Sequence, residues 1–488
     1  MSDRPNVLFI LTDDQGYWSL GSYGNAEIRT PCLDAIAASG MRFENMFCAS
    51  PVCSPARASL VTGRIPSQHG VHDWIRAGDV SDETVEPGGK GRTIEYLAGQ
   101  TGYTDFLAAG GYQCGMSGKW HLGDSHHAQK GFEFWEVHAK GGGPYYNAPM
   151  VHNGEIYRES GYVTDVITDN ALAFLETTMH DARPFYLSVH YTAPHSPWQR
   201  DQHPTEIFES YYDHCPFDSV PDGLEPPEWA EHLSIPVKDA ETRRNYLSGY
   251  YAAITAMDTN VGRIVDWLDE HGERENTLIC FTSDNGMNMG HHGVYGKGNA
   301  TFPMNMYEES VKVPFLMSWP DRIAAGRVCS ELLSHYDFMP TLLDCVGVPN
   351  PDAASLPGQS FAGVLGSETE PPRDQVVVFD EYGPVRMIRT RSWKYIHRYP
   401  HGPNEMYDLV NDPSESENLV DIPDHGATRI ALKGRLDNWF LTYVDPALDG
   451  THEDVTGSGQ LDLAGPASRG RVSFAADRRA RKEKTKRE

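Results

Sequence analysis

Apolar residues in this chain follow two rhythms. Short continuous runs of strand length occur at Asn6–Thr12 (NVLFILT), Met41–Ala49, Tyr112–Ser117, Pro184–Tyr191, Thr277–Ser283 and Val313–Trp319, and runs of this kind fit strands buried on both faces. Between them lie stretches with an apolar residue every third or fourth position. Leu247, Tyr250, Ile254, Met257, Val261, Ile264 and Leu268 give the clearest, a helix closed by Gly272. Thr30-Pro31 opens a shorter helix with Leu33, Ile36 and Ala37 inward and Gly40 as its stop. Thr164–Met179 and Tyr336–Val346 repeat the pattern, and Arg92–Ala109 carries helical material around Ile94, Leu97, Phe106 and Leu107. Doubly buried strands alternating with helices predict an α/β fold: a large, mostly parallel sheet with helices on both faces.

The rhythm changes twice along the chain. The Pro-rich stretch from Trp198 to Pro236 reads as an irregular insertion, the usual place for specificity loops. Around Pro349–Arg373 the periodicity fades while Pro, Gly and Ser accumulate, which marks a domain boundary. The expected division is a large N-terminal domain over residues 1–370, a small C-terminal α+β domain over 371–444, and an extended polar and basic tail over 445–488. In the small domain Val376–Tyr382 and Val385–Tyr399 read as a hairpin, and Met406–Leu409 with Asn411-Asp412-Pro413 as a further strand and turn. The tail is expected to be loosely held or to reach over a neighbouring subunit, which would make it a route to a homo-oligomer.

Composition narrows the function classes. With 39% apolar residues, 10 Trp, 24 Tyr and 18 Phe in 488 residues, the chain supports a real core. The net charge of −27 argues against a broad nucleic-acid footprint. The last 11 residues hold seven Lys and Arg against two Glu, so the body is more acidic still. No apolar run approaches the ~18 residues of a membrane span, so no membrane partner is expected. The first strand runs straight into Asp13 with no signal peptide visible, which leans towards a cytoplasmic protein; a removed signal would leave a periplasmic or secreted one. The 8 Cys show no Cys-x-x-Cys pair, so neither a zinc ribbon nor a disulfide framework is indicated.

The candidate chemistry sits where strands end. Two runs finish in oxygen-rich pairs, Asp13-Asp14 and Asp284-Asn285, and functional groups in α/β sheets are delivered at the carboxyl ends of strands. Either pair alone also suits an ordinary turn; together their oxygens suit a hard cation. Cys53-Ser54-Pro55-Ala56-Arg57 opens a helix in which Pro55 fits the first turn, and a helix N-terminus favours negative charge. Lys119 and His121 in Gly-Lys-Trp-His-Leu-Gly, His195 after Ala-Pro, and Lys297 between two glycines add cations and imidazoles. An acidic body acting on an anionic ester needs such a locally positive site.

These motifs together resemble the type I sulfatases of the alkaline-phosphatase superfamily, from Asn6 to about Leu419. The resemblance implies an alkaline-phosphatase-like sheet with a smaller antiparallel C-terminal sheet. It implies a sulfuric ester hydrolase in which a formylglycine-generating enzyme oxidises Cys53 to an aldehyde. One Ca²⁺, with Mg²⁺ as the alternative, is then held by Asp13, Asp14, Asp284, Asn285 and the oxygen formed at residue 53. One hydroxyl of the hydrated aldehyde attacks sulfur, and the second releases sulfate as the carbonyl re-forms. Arg57, Lys119 and Lys297 surround the sulfate oxygens, and Asp284 takes the proton of the nucleophile. His121 serves as base in the elimination and His195 as acid on the leaving oxygen. The implied substrate is a sulfated saccharide or an aryl or alkyl sulfate. Asn285 and the Lys119/His121 pair weigh against a phosphodiester or phosphonate monoester hydrolase on the same site. A silent binder of sulfated ligands is the reading if Cys53 stays a thiol. His291-His292 are the next pocket candidates, ahead of His126 and His127. His72-Asp73-Trp74, Trp198 and Tyr145-Tyr146 are candidates either for a ring platform or for core packing.

Overall fold

A computed structural model of the chain describes residues 4–81, 92–366, 373–381, 384–400, 402–453 and 455–476. The middle of its large sheet is made by β1 (Asn6–Thr12), β3 (Gln113–Lys119), β4 (Phe134–His138), β7 (Phe185–His190) and β8 (Thr277–Ser283), all parallel to their neighbours. On one side the sheet continues antiparallel through β5 (Tyr146–His152) and β6 (Glu155–Tyr162). On the other it continues through β9 (Phe315–Ser318), antiparallel to β8, and then β2 (Met41–Phe43) and β10 (Arg327–Cys329). The order is β10-β2-β9-β8-β1-β7-β3-β4-β5-β6. The sheet is mixed, with parallel pairing among the five central strands and between β10 and β2, and antiparallel pairing elsewhere.

The alternation of side chains across the pleat divides the interior in two. Val7, Phe9 and Leu11 of β1 enter one core while Leu8 and Ile10 enter the other; Leu278 and Cys280 of β8 part from Ile279 and Phe281 in the same way. The second core is roofed by α1 (Pro31–Ala38), α4 (Val163–Thr178), α5 (Thr205–His214) and α6 (Ala240–Glu270). The first core is covered by α2 (Cys53–Thr62), α3 (Tyr103–Ala109) and α7 (Phe338–Cys345). Helix α6 begins before the apolar stripe because the Asp239 side chain accepts from the Thr242 amide at 2.7 Å and caps it.

A second sheet, β11 (Val376–Asp380), β12 (Val385–Arg389), β13 (Trp393–Arg398) and β14 (Glu405–Asp408), is antiparallel throughout and packs on α8 (Gly426–Tyr443). It is joined to the large unit by the buried ion pair of Lys394 with Glu308 at 2.8 Å and by Arg398, which donates to Met304 O at 2.9 Å. Its first strand docks beside α2: the Phe379 amide donates to Ala49 O at 3.1 Å, and Ser50 Oγ to Asp380 at 2.5 Å.

Several expectations change. Residues 92–102 are not helical; Gly99, at φ +75°, and Gly102 precede α3, which starts only at Tyr103. The Met41–Ala49 run makes two short strands in different sheets. The insertion from Trp198 to Pro236 contains α5. Strands β4, β5 and β6 and helix α8 were not expected. The hairpin expected at 376–399 is three strands. Of the expected boundary, residues 367–372 lie outside the described residues, as does the basic end from residue 477. Among the described residues no helix is long and apolar enough to cross a membrane, and all eight cysteines are free.

The described part of the tail lies against its own chain. Gln460 is fully buried and bridges Ile75, with Arg76 N donating to Gln460 O at 2.9 Å and Gln460 N to Trp74 O at 2.8 Å. Its side-chain oxygen accepts from His72 N at 2.9 Å and its amide donates to Gly70 O at 3.0 Å. Gly459 N donates to Asp73 at 3.1 Å, and Trp74 Nε1 to Gly457 O at 3.2 Å. Gln460→Leu would strand buried backbone groups that each cost roughly 1–3 kcal/mol when unpaired. Urea unfolding of this variant is expected to show a loss of about 2 kcal/mol or more; wild-type stability would show that the strap contributes nothing.

Candidate active site

The pairing of β1 with β8 sets Thr12 opposite Ser283, so the residues that follow, Asp13 and Asp284, leave the sheet side by side. Asp284 N donates to Thr12 O at 3.1 Å, and Asp13 N to Ala193 O at 3.1 Å, which draws in the segment after β7 that carries His195. Asp14 has φ +64°, a left-handed conformation held from the α6 side: Tyr250 Oη donates to Asp14 O at 3.0 Å and accepts from Gly16 N at 3.0 Å. The amides of Asp14 and Asn285 both donate to Asp284 Oδ1, at 3.1 and 2.8 Å. Three carboxylates and an amide are thus gathered below the surface at one end of the central strands.

Helix α2 aims its first residue at this cluster. Cys53, 3% exposed, places Sγ 3.4 Å from Asp13 Oδ1 and 3.9 Å from Asp14 Oδ1. One turn on, Arg57 donates from Nε to Asp284 Oδ2 at 2.9 Å and from Nη1 to Lys119 O at 2.9 Å. Lys119 Nζ meets Asp13 Oδ2 at 2.5 Å; Lys297 Nζ meets Asp14 Oδ1 at 2.6 Å and also contacts the Cys53 sulfur. Three buried acids are balanced by three cations. Burial alone would raise the Asp284 pKa, but Arg57, Lys119 and Lys297 hold it well below the ordinary carboxylate range. Burial opposes the charge on Lys297 too, and Asp14 with Cys53 and the other acids reverses the effect, leaving its pKa well above the usual value. Burial pushes the Cys53 thiol up to about 12 despite both lysines. An unmodified Cys53 is therefore protonated at neutral pH and a poor nucleophile.

Both imidazoles reach the cavity above Cys53. His121 donates from Nε2 to Ile75 O at 2.9 Å, since a carbonyl can only accept, and this leaves Nδ1 as an acceptor that is buried without a partner among the described residues. Burial, reinforced by Lys119, keeps the ring neutral by lowering its pKa well below the usual value. Gly141 lies so near that a Cβ there would fall 2.0 Å from His121 Nε2; only glycine lets that loop pass. His195 donates from Nδ1 to Ser196 O at 2.6 Å and turns Nε2 to within 3.7 Å of Asp14 Oδ2. Tyr145 Oη donates to His195 O and Trp198 Nε1 to Pro194 O, each at 2.8 Å, so these aromatics are buried props of the His195 loop rather than a ring platform.

The cavity holds about 400 Å³, and Cys53, His121, His195 and Lys297 line it. Trp74 lines it as well, together with Arg76, Asp79, Lys140 and Asn299, four residues that sequence reasoning did not select. The local signal at Asn299 is an Asn-Ala-Thr glycosylation sequon, and that at Lys140 is the Gly-Gly-Gly that follows it. His291 and His292 belong instead to a separate cleft of about 590 Å³, where His292 stacks on Tyr307 at 3.6 Å and meets Glu309 at 3.1 Å. His126 and His127 bond Gly154 O and Asp124 away from the cavity.

The acid cluster fits a hard cation. Asp13, Asp14 and Asp284 each offer an oxygen within 4.8 Å of the others. Asn285 Oδ1 is buried with no hydrogen-bond partner among the described residues, while its Nδ2 donates to Asp14 Oδ1 at 2.8 Å. An all-oxygen set of this kind suits Ca²⁺ or Mg²⁺.

Known proteins share this architecture. The sulfatase family model matches residues 5–348, and that of the N-sulphoglucosamine sulphohydrolase C-terminal region matches residues 290–440. The chain is 28% identical to N-acetylglucosamine-6-O-sulfatase of Bacteroides thetaiotaomicron, across 91% of its own length and 87% of that protein's. It is 29% identical to choline-sulfatase of Rhizobium meliloti, across 91% and 89%. A solved structure in complex with its substrate D-glucosamine-2-N,6-O-disulfate matches with a TM-score of 0.72 at 27% identity, covering 92% of this chain and 99% of that one. With the family model spanning more than two thirds of the sequence and the fold and acid–cysteine cluster in keeping with it, this chain belongs to the sulfatase family.

Proposed function

We propose that the protein hydrolyses sulfate esters of a carbohydrate or of an aryl or alkyl alcohol, with residue 53 matured to formylglycine and one Ca²⁺, or Mg²⁺, beside it. The observation that carries the reading is the meeting of Cys53 with Asp13, Asp14, Asp284 and Asn285 on one side and Arg57, Lys119 and Lys297 on the other, under a cavity open to a small ester. The four oxygen-bearing residues, with the oxygen formed at residue 53, would hold the cation. A hard dication there supplies Lewis-acid stabilisation of sulfate and lowers the pKa of the attacking hydroxyl. The hydrated aldehyde supplies one hydroxyl to attack sulfur and a second whose proton loss frees the product.

The chain's own residues do the rest. Acids and cations cancel in the cluster, so a dication with a singly charged sulfate ester leaves a net positive surround. Lys119, Lys297 and Arg57 are placed to meet the charge that builds on the sulfate oxygens. Neutral His121, with Nδ1 as its free acceptor, can take the proton in the release step. His195, whose Nδ1–H is held by Ser196 O, has Nε2 left to protonate the departing oxygen. Asn285, another oxygen donor where a histidine would suit zinc, supports the sulfatase reading over a phosphonate hydrolase.

Cys53→Ala should abolish turnover with an unchanged far-UV spectrum, and the wild-type peptide around residue 53 should show the aldehyde mass when the protein is co-expressed with a formylglycine-generating enzyme. Cys53→Ser should react once at most; sustained turnover by it would refute the elimination route. Asp14→Ala should lose bound metal, counted by elemental analysis, together with activity, and chelation should inactivate the wild type until Ca²⁺ or Mg²⁺ is restored. Full activity in metal-stripped protein would contradict the cation's role. His195→Ala should slow a sugar sulfate by on the order of 10²–10⁴ and a nitrophenyl sulfate far less, because only the poor leaving group needs the proton. Equal dependence on leaving-group pKa in wild type and variant would remove His195 from the acid role.

A further inference from the structure

Ile75 belongs to none of the strands, yet three parts of the chain meet on it. Its amide donates to Ser54 Oγ at 3.0 Å, in the turn that begins with Cys53, and its carbonyl accepts from His121 Nε2 at 2.9 Å. One residue therefore sets how the His121 ring stands to the first turn of α2. His121 itself has φ +55°, a left-handed conformation that a residue with a side chain keeps only when its contacts hold it. What holds Ile75 is the C-terminal strap: its neighbours Trp74 and Arg76 are both bonded by the backbone of Gln460, in an isolated bridge. The strap is braced in turn by its own return pass, where Leu461 N donates to Ser473 O at 2.7 Å and Ala475 N to Gly459 O at 2.9 Å. At Gly459, φ +108°, a Cβ would fall 2.7 Å from Arg76 Cβ, so the strap lies directly against the segment it holds.

Trp74, Ile75 and Arg76 line the cavity together with His121, and in the hydrolysis proposed above His121 takes the proton whose loss frees sulfate. A general base works only at hydrogen-bond range, and a misplacement of about 1 Å can cost on the order of 10²-fold. The groups assigned to the attack on sulfur do not hang on Ile75. Arg57, Lys119 and Lys297 are fixed by their own ion pairs with Asp284, Asp13 and Asp14. Displacing Ile75 would therefore disturb the His121 ring and leave the acid and cation cluster standing. Resting on that reading of the reaction, we propose that Gln460 is a positioning residue for the release step. Through Ile75 it keeps the His121 imidazole in place, and its loss slows the freeing of sulfate but not the attack on sulfur.

The test uses 4-nitrophenyl sulfate and full-length protein, with the aldehyde at residue 53 counted by mass spectrometry and rates given per aldehyde. In Gln460→Leu kcat should fall about 10- to 100-fold and KM should fall with it. A burst of nitrophenolate equal to the aldehyde content should precede steady turnover, as when a step after the first product is limiting. Gly459→Ala keeps every polar group of the strap and crowds Arg76. It should show the same split, and it decides the matter if Gln460→Leu does not fold. Loss of kcat and kcat/KM in equal measure, the mark of a merely structural residue, would overturn the proposal, as would unchanged kinetics in both variants. Adding Gln460→Leu to His121→Ala should change kcat by less than about twofold, because the strap acts through that ring. A further loss as large as in the single variant would overturn it. The proposal alone fails if His121→Ala gives the burst and neither strap variant does. Aldehyde-bearing wild type that cleaves no sulfate ester would instead overturn the hydrolase reading on which it rests.

Discussion

Three carboxylates packed below the surface, Asp13, Asp14 and Asp284, are the constraint around which the molecule is built. Like charges so close and so poorly hydrated are tolerable only with compensation, and removing one partner of a buried pair is far worse than never having had it. Arg57, Lys119 and Lys297 provide that compensation, one each from the start of α2, the end of β3 and the loop after β8. None of these segments is near another in sequence. In the hydrolysis proposed above the same cations would also meet the charge on sulfate, so stability and chemistry would share one set of contacts.

The histidines show how the surroundings set proton positions. Ile75 O fixes the tautomer of His121, and Ile75 is itself bridged by Gln460, so the C-terminal strap reaches the cavity through one intervening residue. Ser196 O fixes His195, whose loop is propped by Tyr145 and Trp198. The small sheet acts at the same place from another side, with β11 bonded to Ala49 and Ser50 just before Cys53. Core, strap and small sheet all converge on the first turn of α2.

Much of the frame was legible in the sequence because the relevant forces are local. A run such as NVLFILT, apolar on both faces, can only be a strand between two cores, and the pleat divides it as found. The long stripe from Leu247 to Leu268 could be read in the same way. The strands β5 and β6 could not: they form the sheet's far edge, and β6, EIYRESGY, has little buried surface to impose a pattern. Helix α8 buries only Leu432, Leu436 and Phe440, a stripe too narrow to stand out across Gly426 and Gly434.

By itself the sequence determined the α/β class, the oxygen-rich ends of β1 and β8, and the Cys53–Arg57 helix start, since each depends on residues within a few positions of one another. Only the tertiary structure decided that the acid pairs meet, through the register of Thr12 with Ser283, and that the sheet is mixed. It alone sent His291 and His292 to another cleft and folded residues 455–476 back onto Ile75. It alone brought Trp74, Arg76, Asp79, Lys140 and Asn299 to one wall. Hydrophobic pattern and turn chemistry record whether a position is buried and how the backbone bends there. They do not record which distant segment supplies the partner, and a cavity wall consists of such partners.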